Sequence, residues 1–317
     1  MPDSEPETPK ADAPAAADIC VILNRGSGKK GEGTEERLRA AMDRHPGRFA
    51  LRTVGRRDDP VAAAEAAAAE GFATLVAAGG DGTIAAVAGV ARAHRRTLGI
   101  LAMGTFNFVA RGLGLPEELE DGVDLIAAGP TRQLSLGEVN GKIFLNNASL
   151  GLYPAILAQR EGTYRRWGRS RMAAHWSVIT TFARFHRPLS LRVSVDGRTI
   201  RTRTPLAFVA RSDYQLDLFG LPGAEDVREG RFALFLAPDS SRVQLLLFAV
   251  RLAWHSMKEG RDYEYVSGRS IDIETESPHR LIARDGERER MTAPFRFRML
   301  DDALTVIAPK ADRKEEA

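Results

Sequence analysis

The residues of this 317-residue chain best placed to do chemistry are glycines. Gly79-Gly80-Asp81-Gly82-Thr83 follows a short apolar run at 74–78 and precedes a helical pattern. Glycines remove the Cβ atoms that would hold an anion away. A helix start adds unpaired amides and the positive end of its dipole, so such a turn suits phosphate. Asp81 would repel a phosphate unless a cation or a bound hydroxyl lies between, which points to Mg²⁺ or a ribose contact. A sharp strand-to-helix turn with a capping Asp is the reading without a ligand.

The same design recurs twice. The run 18–23 ends in Asn24-Arg25-Gly26-Ser27-Gly28, where Asn24 and Ser27 carry donors for phosphate oxygens. The run 98–102 ends in Met103-Gly104-Thr105-Phe106-Asn107. All three loops follow strand carboxyl ends, where open α/β sheets bind ligands.

The elements that must hold these loops alternate as βαβ units do. Strands are predicted at 18–23, 50–54, 74–78 and 98–102, and helices at 34–45, 60–70 and 84–94. Asp59 suits a helix cap, Pro60 a first turn and Gly71 a helix end. The pattern predicts a parallel, doubly wound sheet. Beyond a boundary near Gln133 the character changes. Asn140-Gly141 and Asp196-Gly197 each separate strand-like runs, a hairpin signal, so antiparallel sheet dominates there. A helix is predicted at 241–258, with Gly260 after it.

Composition narrows the class. With 44% apolar and 27% charged residues the chain supports two packed domains. Its one cysteine, Cys20, excludes a disulfide framework and suits a cytoplasmic location. The longest apolar stretches, at 176–185 and 245–254, are broken by Arg184 and Arg251 and fall short of a bilayer span. The segment 1–17 reads as a disordered tail without a secretory pattern, and 311–317 as a frayed end. A net charge of +3 does not by itself argue for nucleic acid.

Taken together, the three glycine loops, with Ala110-Arg111 after the third, resemble the catalytic domain of diacylglycerol and sphingoid-base kinases, close to the bacterial soluble lipid kinases. The likeness continues through 146–151, 214–222, Asp285-Gly286-Glu287 and 303–309. It implies an NAD-kinase-like nucleotide domain at 18–132, a β-sandwich-like lipid-substrate domain at 133–290, and a C-terminal segment at 291–310 that returns to the first domain. It implies ATP and Mg²⁺ as cofactors. Nucleotide contacts then fall on Asn24, Ser27, Gly28, Thr53, Gly79, Gly80, Asp81, Gly82, Thr83, Gly104, Thr105 and Asn107. The catalytic pair is Glu287, as general base, and Asp81. A structural Mg²⁺ site would fall on Asp226 and Glu229, with the Arg231 carbonyl.

Four departures from the family pattern bear on activity. Phe108 and Ser135 stand where the family commonly has carboxylates, Ala85 and Ala86 replace Asn-Glu, and Glu229 replaces Asp. The first two suggest a second reading, a nucleotide- or lipid-binding protein whose activity has lapsed. NAD kinase, which shares the Gly-Gly-Asp-Gly-Thr turn, is a third, opposed by the third loop and by Asp285-Gly286-Glu287. Arg160, Arg165, Arg166, Arg169, Arg171, Arg184 and Arg187, interleaved with Tyr164, Trp167 and Trp176, suit peripheral docking on an anionic membrane. A homodimer is compatible with the sequence.

Overall fold

The computed structural model describes residues 17–26, 33–55, 58–151 and 188–310. Its first half is β1 (Ile19–Asn24), α1 (Thr34–Asp43), β2 (Phe49–Val54), α2 (Pro60–Ala69), β3 (Thr74–Gly79), α3 (Asp81–Ala93), β4 (Thr97–Ala102), α4 (Phe108–Gly112) and α5 (Leu119–Ala128). Strands β2, β1, β3 and β4 lie side by side and parallel. Successive residues of a strand point to opposite faces, and here both faces are covered. Ile19, Val21 and Leu23 pack with Leu38 of α1 and Val123 and Ile126 of α5. Cys20 and Ile22 pack with the alanines of α2 and with Ile84, Val87 and Ala91 of α3. That is the doubly wound arrangement the pattern predicts. The Asp59 carboxylate accepts from the Val61 amide at 2.9 Å and starts α2 as expected.

The second half contributes β5 (Thr131–Val139), β6 (Lys142–Phe144), β7 (Asn147–Gly151), β8 (Leu189–Val195), β9 (Arg198–Thr204), β10 (Leu206–Ala210), α6 (Asp213–Phe219), α7 (Ala224–Arg228) and β11 (Phe232–Leu236). After these come α8 (Arg242–Ala253), β12 (Glu264–Gly268), β13 (Ser270–Thr275), β14 (His279–Arg284), β15 (Glu287–Thr292) and β16 (Phe295–Ile307). A six-stranded antiparallel sheet runs β12-β11-β10-β7-β14-β15. Its inner face packs against β8, β13 and the start of β16 around Phe144, Phe232, Phe295 and Phe297, which makes the sandwich. Asn140-Gly141, Asp196-Gly197 and Asp285-Gly286 all have positive φ at both positions, the backbone that two-residue hairpin turns require.

Strand β16 joins the halves. Its first residues pair with β13 and its last, at Val306, lies parallel to Leu98 of β4, with a register shift between Leu300 and Leu304. The C-terminal segment thereby returns to the parallel strands of the first half, and one ten-stranded sheet runs through both halves.

Two helix boundaries differ from the sequence reading. Helix α3 starts at Asp81 rather than at 84, so Asp81, Gly82 and Thr83 form its first turn. Helix α8 stops at Ala253 rather than running to 258. Asp262, 2% exposed, accepts from the Lys258 amide at 3.0 Å and from Arg251 at 2.6 Å, and this draws the chain out of the helix. Among the described residues no helix is long and apolar enough to cross a membrane.

Gly137 of β5 has no room for a side chain, since a Cβ there would lie 2.3 Å from Phe144 Cζ. Phe144 also meets Phe232 and Phe297, so it cannot swing aside without disturbing the sandwich core. Gly137→Ala is expected to cost about 1–3 kcal/mol of stability. Urea unfolding of the variant against the parent measures it.

Candidate active site

The three glycine loops meet at one edge of the parallel sheet. The Met103 amide donates to the Gly79 carbonyl at 2.8 Å, extending the β3–β4 pairing into the loops. Gly104 then passes so close to the phosphate loop that a Cβ on it would lie 2.8 Å from Gly80 Cα and 2.7 Å from Asn107 Oδ1. Gly80 has an extended backbone, φ −89°, open to any residue. The glycine-rich character here therefore serves close approach, with no left-handed backbone demanding it.

Side chains tie the loops further. Asn24 Nδ2 donates to Thr83 Oγ1 at 2.9 Å, and Asn24 Oδ1 accepts from the Gly26 amide at 2.8 Å. The Gly104 amide donates to Asn107 Oδ1 at 2.8 Å. The Asn107 amide donates to Asp81 Oδ2 at 3.1 Å. Asp81 thus reaches from the first turn of α3 to the start of α4. Burial raises its pKa, opposed by the amides of Asn107, Phe108 and Val109.

Asp81 Oδ1 is buried and has no hydrogen-bond partner. An orphaned carboxylate oxygen beside a phosphate loop suits a cation carried on a nucleotide, because Mg²⁺ in such sites takes one or two carboxylates and completes its shell with phosphates and water. Among the described residues no cluster of three or more His, Cys, Asp or Glu side chains stands ready to hold a metal alone. At the expected structural Mg²⁺ site, Arg231 contacts both carboxylates, Asp226 at 2.7 Å and Glu229 at 2.5 Å, and the Tyr265 hydroxyl donates to Asp226, so here the two acids are balanced by a cation of the chain itself.

The remaining expected contacts fall as follows. Thr53 is exposed at the carboxyl end of β2, opposite Leu23. Thr105 is exposed in the third loop. Thr83 is buried beneath Asn24, and Gly79 is buried at the end of β3. Ser27 and Gly28 lie outside the described residues, as does the basic segment 160–187.

Across from the loops, the β14–β15 hairpin of the antiparallel sheet brings Glu287 to the phosphate loop. A Cβ on Gly82 would lie 3.3 Å from Glu287 Oε1. Asp285 fixes this hairpin. Its carboxylate accepts from the amides of Leu145, Asn146 and Asn147 at 2.7, 2.7 and 3.3 Å. Burial pushes the Asp285 carboxyl up, against the pull of those three amides. Arg211 shares its surroundings: burial lowers the guanidinium to about 10, while Asp213 and Asp285 act the other way. Sequence reasoning missed Arg211 and the anchoring role of Asp285. The available signal was an Arg-Ser-Asp triplet directly after the apolar run of β10.

Phe108, at a position where a carboxylate was expected, stacks on Phe106 with ring centroids 5.3 Å apart and reaches Phe219 of α6 at 6.3 Å. Ser135 is half-buried in β5, near the register shift of β16.

Residues 18–139 match the family model described as the diacylglycerol kinase catalytic domain. That span carries the signature of this domain. A Pseudomonas aeruginosa protein named probable lipid kinase YegS-like is 42% identical over 144 residues, 44% of this chain and 46% of that relative. The match thus spans about half that relative's length. A Staphylococcus aureus protein named diacylglycerol kinase is 25% identical over 271 residues, 81% of each chain. The solved structure of a diacylglycerol kinase from Bacillus anthracis superposes with a TM-score of 0.66 at 18% identity, covering 93% of this chain and 97% of the other, and so shares the fold. The catalytic domain defined by the family model holds all three glycine loops, whereas Glu287 reaches it from outside that span.

Gly104→Ala is expected to push the third loop off the phosphate loop and weaken ATP binding at least about tenfold while the chain stays folded. Calorimetric titration with a non-hydrolysable ATP analogue checks this, with circular dichroism as the control for folding. Unchanged affinity would mean that the contact between Gly104 and Gly80 does not shape the site.

Proposed function

We propose that this protein is an ATP-dependent lipid kinase that transfers the γ-phosphoryl group of ATP to a hydroxyl of diacylglycerol or a similar lipid. The observation that carries this reading is Glu287 standing over Gly82. A carboxylate from one sheet faces the phosphate loop of the other, the arrangement an acceptor hydroxyl needs beside a bound nucleotide. ATP would supply the transferred group, and Asp81 would hold a Mg²⁺ carried on the nucleotide, which would offset phosphate charge. Glu287 accepts the proton of the acceptor hydroxyl as its oxygen bonds to phosphorus, and the bond to the ADP leaving group breaks. The amides at the start of α3 and the Asn24–Thr83 pair orient the phosphates. Asp285 keeps Glu287 in place through the β6–β7 connection.

Purified protein with ATP, Mg²⁺ and a panel of lipids tests the reading. Glu287→Gln is expected to lower kcat by about 10²–10⁴-fold, with ATP affinity changed less than about threefold. Full activity in that variant, or no phosphorylated lipid from the parent protein, would overturn it.

The lapsed-enzyme reading draws on one observation, the apolar stack that Phe108 joins in place of a carboxylate. Phe108→Asp with Ser135→Asp separates the two. Activity gained from none favours the lapsed state, and activity already present in the parent rules it out.

A further inference from the structure

Water-exposed large apolar side chains gather on one rim of the molecule. Val243, Leu247, Val250 and Trp254 are 68%, 42%, 40% and 73% exposed. Their spacing of four, three and four residues puts them on a single face of α8 and its cap, while Leu245, 3% exposed, turns to the core. Beyond Trp254 the rim continues through space. The His255 ring lies against Gly220, where a Cβ would be 3.3 Å from Nδ1, and Gly220 ends α6. Leu218 of α6 is 41% exposed, and Phe219 meets Phe108, which stacks on the 51% exposed Phe106 of the third loop. Six of the eight exposed large apolar side chains among the described residues thus belong to one path that ends beside the phosphate loop.

We propose that this rim, α8 with the end of α6 and Phe106, is the face that docks on an anionic lipid surface. The inference rests on the lipid-kinase reading for the value of that path, since a lipid acceptor must leave its surface and reach the γ-phosphate. Charge favours the same occupant. Residues 241–261 carry Arg242, Arg251, Lys258 and Arg261 against one acid, Glu259, and on α6 the exposed Asp217 beside Leu218 is paired with Arg228. The nearby Asp262 is 2% exposed and bound by Arg251 and Arg261, so it presents no negative face. An apolar helical stripe within a segment of net positive charge is the pattern of an interfacial helix. Trp254, at the stripe's end, has the apolar body and polar N–H that settle at headgroup level.

Flotation of the full-length protein on vesicles of phosphatidylcholine with phosphatidylglycerol, and of phosphatidylcholine alone, tests the surface. The parent protein is expected to bind the anionic vesicles more tightly. Leu247→Asp and, separately, Trp254→Ser are expected to weaken that binding at least about tenfold with unchanged circular dichroism. Phosphorylation of diacylglycerol in vesicles should fall with binding, while that of a monomeric short-chain diacylglycerol is kept. With Trp167→Phe and Trp176→Phe leaving Trp254 as the only indole, its emission should shift to the blue when vesicles are added.

Undiminished binding in both variants, a parent that binds no vesicle, or an unmoved Trp254 emission would overturn the proposal. So would a parent dimer that Leu247→Asp dissociates, which assigns the face to a second copy. Emission already blue and shielded from iodide without vesicles would assign it to another part of this chain, residues 152–187 included. Flotation needs no ATP, so the two readings fail separately. Vesicle binding that depends on α8, without any lipid phosphorylation, removes only the activity; lipid phosphorylation with binding independent of α8 removes only the surface.

Discussion

The backbone of Gly104 runs against the backbone of Gly80 with no space for a methyl group between them. Much of the site depends on that approach. It lets the Asn107 amide reach Asp81, lets Asn107 Oδ1 hold the Gly104 amide, and brings the start of α4 beside the start of α3. A hydrogen bond to an ionised group contributes about 1.5–3 kcal/mol, so the Asp81 contact is among the stronger links between the two loops. Here Asp81 ties the two loops with one oxygen and leaves the other without a partner.

The second constraint is delivery of Glu287. Glu287 comes to the loop of Gly82 from the β14–β15 hairpin of the other sheet. It arrives because Asp285, in a turn with positive φ, gathers three amides from the β6–β7 connection, and because β14 pairs with β7 in the same sheet. Strand β16 then ties that half to the parallel strands by pairing with β13 at one end and β4 at the other. The position of a carboxylate in one half over glycine in the other is thus set by ladders that span the chain.

Phe108 sets the character of the neighbouring surface. The aromatic pair it forms with Phe106 continues to Phe219 and toward the apolar face of α8. Apolar surface left in water is unfavourable and, when contiguous, marks a place where something docks. The same side chain thus extends an apolar path to the glycine loops.

Local pattern was enough for much of this. Alternating apolar runs with their caps determine the βαβ order, and Asn-Gly or Asp-Gly determines the hairpins, because these preferences act within a few residues. The three glycine loops were legible for the same reason, and with them the resemblance to the diacylglycerol kinase catalytic domain. The bounds of α3 and α8 were not. Whether Asp81 to Thr83 coil or form a helical turn depends on amides 26 residues away, and α8 ends where buried Asp262 draws the chain aside. Nor could sequence tell that Arg231 would occupy both carboxylates of the expected metal site, or that Arg211 and Asp285 would share one buried environment. Charge pairing and burial are properties of neighbours brought together from distant segments, so only the tertiary structure decides them.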